Sequence, residues 1–180
     1  LNNWNISRQV NHPVRIEFLG FGEEITPNTM NRMGSIINSS IRDYYVRRWA
    51  EKIIERTGED DLSRAEAIYY FLSTHTNYVK DPTGLELLKT PKVSLNLIEM
   101  GEIPGLDCDD LTILSMALLK SIGFRVGLRA TGYKPDGKYT HVYGMVLIKP
   151  YEWVPFDLVK NLGLGNEAPM NKMAQKDMEV

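Results

Sequence analysis

The chain has 180 residues, 43% of them apolar and 24% charged, which suits one globular domain with a substantial core and short end segments. A formal net charge of −2 gives no electrostatic reason for a nucleic-acid partner, and no apolar run is long enough for a membrane span. Residues 1–13 (LNNWNISRQVNHP) have neither an apolar stretch nor a small-residue cleavage site, so they do not read as a signal peptide. The missing initiator Met fits a piece of a longer polypeptide.

Alternation in VRIEFLGF predicts a short strand over 14–21, within an N-terminal extension spanning 1–28. Thr26-Pro27-Asn28 opens a helical stretch. It runs weakly through 29–41 past Gly34, then strongly through 42–56, where Tyr45, Trp49, Ile53 and Ile54 recur at helical spacing and Gly58 gives a stop. Ser63 and Glu66 form a capping-box pattern for a helix ending near Thr76, with Ala67, Tyr70, Phe71 and Thr74 along one side. NYVK at 77–80 reads as extended, before an Asp81-Pro82-Thr83-Gly84 turn.

A short helix is expected near Ser94–Met100. From Cys108 to about Ile122 the residues are apolar nearly all round, which marks a helix buried on most sides and ended by Gly123. Strands are expected over 124–131, over Tyr139–Ile148 after the Pro135-Asp136-Gly137 turn, and over Trp153–Leu158 after a turn at Pro150. Residues 161–180 show no period and read as an irregular tail. The domain itself is expected over 29–160.

Cys108 is the one cysteine, so it forms no intrachain disulfide, and no zinc-ligand spacing occurs. A lone Cys is either a small buried apolar residue, its commoner fate, or a reactive thiol. Here Gly105-Leu106-Asp107-Cys108-Asp109-Asp110 puts the thiol at the first turn of the buried helix, where the helix dipole favours an anion and backbone N–H groups can face an oxyanion. The three aspartates read as an N-cap followed by first-turn acids. They lack the Gly and distal Glu of an EF-hand loop, so no metal and no cofactor are expected.

A reactive thiol needs a base. His12 sits in the polar leader and His75 at a helix end, whereas His141 opens a strand 33 residues after Cys108. If the second hairpin is centred on Pro150, paired positions sum to about 300. Asp157 then becomes a diagonal, same-face neighbour of His141. An acid inside the apolar run WVPFDLV also needs a buried partner. Cys108, His141 and Asp157 thus fit the roles of nucleophile, base and orienter. Their plainer reading is a buried Cys, a surface His and an Asp at a strand end.

GLDCDDLTILSMALLKSIGFRVGLR, then THVYGMV, then EWVPFDL, resemble the core of the transglutaminase-like superfamily, with the preceding Ser63–NYVKDP stretch also similar. The compact LDCDD form is similar to small bacterial and bacteriophage members. The resemblance implies an α+β, papain-related fold, in which a buried Cys helix packs on an antiparallel sheet carrying His and Asp. It also implies the triad Cys108, His141 and Asp157.

Two functions stay open on this reading. One is a thiol-dependent amide hydrolase or acyltransferase that forms a thioester on a protein or peptide substrate. The other is a non-catalytic structural or assembly protein, for instance in a phage particle, that meets other subunits through its N-terminal extension and C-terminal tail. The corresponding location is cytoplasmic or virion-associated, with no nucleic acid or membrane as partner.

Overall fold

The computed structural model describes residues 26–82, 87–148, 152–167 and 171–180. The strand expected at 14–21 and nearly all of the N-terminal extension lie outside these residues. The first helix, α1 (Pro27–Ser40), begins where Thr26 accepts a hydrogen bond from the Thr29 N–H and Pro27 occupies a position that needs no donor. Met30, Met33, Gly34 and Ile37 are buried at helical spacing along it. This helix is part of the core.

Helix α2 (Tyr44–Ile54) is capped by Asp43 and buries Val46, Trp49 and Ala50. Helix α3 (Asp61–His75) is capped by Asp60, whose carboxylate accepts from the Ser63 N–H and hydroxyl, so Ser63 lies inside the helix rather than at its cap. The helix therefore starts one turn earlier than the Ser63–Glu66 pattern suggests, at the stronger cap that an aspartate supplies. The buried stripe of α3 is Ala65, Ile68, Tyr69 and Leu72, not the one centred on Tyr70, which is exposed. A Tyr-Tyr-Phe run is apolar in every direction, and packing against the rest of the core sets the rotation of the helix.

Two short strands, β1 (Asn77–Tyr78) and β2 (Gly105–Leu106), pair in parallel, and α4 (Pro91–Glu99) lies between them in sequence. From β2 the chain enters α5 (Cys108–Ser121) directly. All of Asp109–Leu119 is buried. This central helix packs against α1, α2, α3 and α4 on one side and against β3 (Val126–Gly132) and β4 (His141–Ile148) on the other. With β5 (Glu152–Phe156) and β6 (Ala174–Glu179), those strands form an antiparallel sheet in the order β5-β4-β3-β6. The result is the expected α+β architecture, a buried helix laid on an antiparallel sheet.

Two details fix how α5 sits. A Cβ built at Gly144 would lie 2.2 Å from Met116 Cε, so a side chain there would force Met116 to shift and glycine lets β4 lie close to the helix. Pro155 falls on β5, an edge strand, where its missing N–H costs the sheet little.

The tail departs from expectation. Residues 174–179 are not irregular: they form β6, paired with β3 from Gly127↔Glu179 to Gly132↔Ala174. Arg129 holds Asp177 through two hydrogen bonds of 2.7 and 2.8 Å, and Arg125 holds Glu179 at 2.7 Å. The strand AQKDME carries little apolar alternation because cross-strand ion pairs and backbone bonds anchor it, helped by Met178 against Gly34 of α1.

Candidate active site

Asp107 accepts a hydrogen bond from the Asp110 N–H and so caps α5, which makes Cys108 the first residue of the helix. Cys108 is half-buried against the core. One turn on, the Thr112 hydroxyl bonds to the Cys108 carbonyl at 2.6 Å and to the Val142 carbonyl at 3.2 Å. This contact ties the Cys-bearing turn to the start of β4, next to His141.

The register of β4 and β5 sets the other half. Gly144 pairs with Phe156, so opposed positions sum to 300 as expected, and Asp157 follows the last residue of β5. His141 Nε2 lies 2.9 Å from Asp157 Oδ2. The second carboxylate oxygen, Oδ1, accepts from the Val159 N–H at 3.1 Å, and Asp157 is only 2% exposed. A bond from Nε2 to a carboxylate selects the Nε2–H tautomer and leaves the Nδ1 lone pair as the basic position.

Cys108 and Asp157 line one narrow crevice, together with Thr112, Val142, Tyr143 and Phe156. Of the three residues named from sequence, the structure hydrogen-bonds His141 to Asp157, and Cys108 lines the same crevice as Asp157. His75 is elsewhere, its ring nitrogen on the Phe71 carbonyl at a helix end.

Two supporting residues escape the sequence. Tyr69, buried on α3, donates its hydroxyl to the Asp157 carbonyl at 3.0 Å and accepts from the Gly163 N–H at 3.1 Å. It thereby holds the turn that presents the carboxylate. Tyr143 lies two residues along β4 from His141, with ring centroids 5.4 Å apart. Alternation on a strand gives a tyrosine at that spacing, but nothing in the sequence shows what holds its hydroxyl.

The aspartates beside the thiol are more buried than first-turn acids usually are, all three being in the core. Burial, with the adjacent Asp109, pushes the Asp107 carboxyl up to about 8. Burial also raises Asp110, to about 6, against the opposing bond from Lys89. The oxygens of Asp107, Asp109 and Asp110 lie within 4.8 Å of one another, a donor set suited to a hard cation. A cation seated there would have to displace the Lys89 ammonium from Asp110 and a proton from Asp107.

A buried helix opening on a cysteine, packed on an antiparallel sheet whose neighbouring strands present a paired His and Asp, defines the papain-like class of α+β folds. The chain belongs to the transglutaminase-like superfamily, whose family model matches residues 47–158. Among solved structures it is similar to a proposed cysteine protease from Cytophaga hutchinsonii, with a TM-score of 0.51 and 17% identity over 79% of this chain. The match spans 47% of that protein, so the chain accounts for about half of its length. It also resembles LapG of Legionella pneumophila, with a TM-score of 0.46 and 17% identity over 82% of this chain and 80% of LapG. No curated protein matches it. Among the described residues, no helix is long and apolar enough to cross a membrane.

Proposed function

We propose that the chain is a thiol-dependent amide hydrolase or acyltransferase that works through a thioester, with Cys108, His141 and Asp157 as its triad. The observation that carries this reading is the 2.9 Å bond from His141 Nε2 to Asp157, made at the end of the sheet where Thr112 ties in the Cys108 turn. Membership of a family of thiol-dependent enzymes supports it.

In this mechanism His141 Nδ1 takes the Cys108 proton and Sγ forms a bond to the carbonyl carbon of an amide in a protein or peptide. The start of α5 stabilises the oxyanion. As the tetrahedral intermediate collapses, the C–N bond breaks and the amine leaves with the proton held by His141, which gives the thioester. Water or a second amine then attacks the thioester, passing its proton to His141, and Cys108 departs as thiolate. Asp157 keeps the imidazole in one tautomer and one orientation throughout.

The reading is tested by incubating the protein with a peptide panel, with and without a labelled primary amine, and following products by mass spectrometry. Hydrolysed or amine-labelled peptide, lost in Cys108→Ala, is the expected result and separates hydrolysis from transfer. Turnover that persists in Cys108→Ala excludes the thioester route.

A further inference from the structure

The face of the sheet that carries His141 also carries a polar cluster that the proposed chemistry does not use. Tyr143 is 1% exposed, and its ring is tilted 32° against the His141 imidazole. The Tyr143 hydroxyl donates to Glu167, which is also bound by the Lys172 ammonium and lies 3.6 Å from Arg129. Lys172 further sits 5.7 Å from the centre of the Tyr143 ring, and Arg129 is anchored on Asp177 of β6. Burial and the neighbouring Glu167 carboxylate push the Tyr143 phenol far up, so it remains a donor. Burial opposes ionisation of Glu167, but bonds from Lys172 and Tyr143 hold its carboxyl below the usual range.

We propose that Tyr143 is a positioning residue for His141, and that the C-terminal segment, through Glu167 and Lys172, locks Tyr143 in place. The inference rests on the reading of His141 as base to Cys108. An imidazole bonded to Asp157 at one nitrogen can still swing about that bond. The Tyr143 ring closes off one direction of swing and keeps Nδ1 aimed at the thiol. A ring can act as such a wall only if it is itself fixed, and the Glu167 bond fixes its far end. Glu167 and Lys172 are then part of the site's machinery, although neither lines the crevice.

The test is the iodoacetamide labelling rate of Cys108 in the folded, full chain at one pH near neutrality, in single and paired variants. Tyr143→Leu removes the wall and should slow labelling roughly tenfold, because a displacement of about 1 Å at a reacting group costs that much or more. Tyr143→Phe loses the lock and Glu167→Gln weakens it, an amide oxygen accepting less strongly than a carboxylate, while both keep the ring, so each should slow labelling by less, about two- to fivefold on the same scale. In a His141→Ala background all three should have no further effect, because positioning acts only through the imidazole. If Tyr143→Leu does not fold, the Tyr143→Phe and Glu167→Gln pair carries the same comparison.

Equal slowing with and without His141 would mean general loosening and would overturn the proposal, as would unchanged rates in the His141-containing variants. If His141→Ala alone leaves the rate unchanged, the triad reading fails first and takes this inference with it. If His141→Ala slows labelling but the Tyr143 and Glu167 variants do not, only the inference fails.

Discussion

The Tyr69 hydroxyl bridges two backbone groups on either side of one turn, donating to the Asp157 carbonyl at 3.0 Å and accepting from the Gly163 N–H at 3.1 Å. A helix on one flank of the core thus sets the height and direction of a carboxylate that follows a strand on another. The ring of Tyr69 also packs edge-on against Phe156, the last residue of β5, at 5.1 Å between centroids. Tyr69 thus supports the backbone of Asp157, while the Val159 N–H and His141 hold its carboxylate.

Tyr69→Phe keeps the packing and removes both bonds. It should destabilise the fold by about 1–3 kcal/mol, since a carbonyl and an amide lose a partner in or near the core. Urea denaturation measures the loss, and the Cys108 labelling rate should fall with it because Asp157 loses one of its supports. Unchanged stability would show that water replaces the hydroxyl without cost.

Gly144→Ala should cost roughly 1–3 kcal/mol, the usual range for forcing extra volume into a packed core. The added Cβ would overlap Met116 Cε and Sδ, at 2.2 and 2.6 Å, and Met116 is itself fully buried. In a Met116→Ala background the same substitution should be markedly cheaper, because the overlapping atoms are gone. Thermal denaturation of the four proteins closes this cycle, and equal costs in both backgrounds would contradict the close approach.

The acids at the start of α5 set a pH dependence whose sign can be worked out. Asp107, pushed up to about 8, and Asp110, to about 6, both lie above the ordinary carboxyl value of 3.8. Between those limits the folded chain holds protons that the unfolded chain has released. The stability these groups contribute is full below about pH 4 and falls as pH rises through 6 and then 8. Asp107→Asn keeps an acceptor for the Asp110 N–H, since asparagine caps as well as aspartate, and removes the titration. Midpoints of thermal unfolding measured from pH 4 to 9 should therefore decline less steeply in Asp107→Asn than in the parent chain. Parallel curves would show that Asp107 is not proton-bound in the folded state.

Much of this arrangement is legible in the sequence because it depends on short-range rules. A hairpin centred on Pro150, as read from the sequence, gives the register of β4 and β5 that Gly144↔Phe156 shows. Asp107 caps α5 as its residue type suggests. Tyr69 is not legible, because the run Tyr69-Tyr70-Phe71 has no polar residue to mark which way the helix turns. Strand β6 is missed for a different reason: AQKDME owes its place to Arg129–Asp177 and Arg125–Glu179 pairs made across the sheet, and long-range partners leave no periodic trace. The depth of the three aspartates is equally hidden, because their spacing is that of an ordinary helix start.

The central claim is that His141, steadied by Asp157, acts on the thiol of Cys108. Its most direct test is the rate of Cys108 alkylation by iodoacetamide, followed across pH in the folded parent chain, in His141→Ala and in Asp157→Ala. Labelling of the parent should be fast well below pH 8, slowed by roughly tenfold or more in His141→Ala, in keeping with the size of base assistance by a positioned side chain, and slowed to a smaller degree in Asp157→Ala. A thiol that stays inert until the protein is denatured, or that labels equally fast without His141, would contradict it.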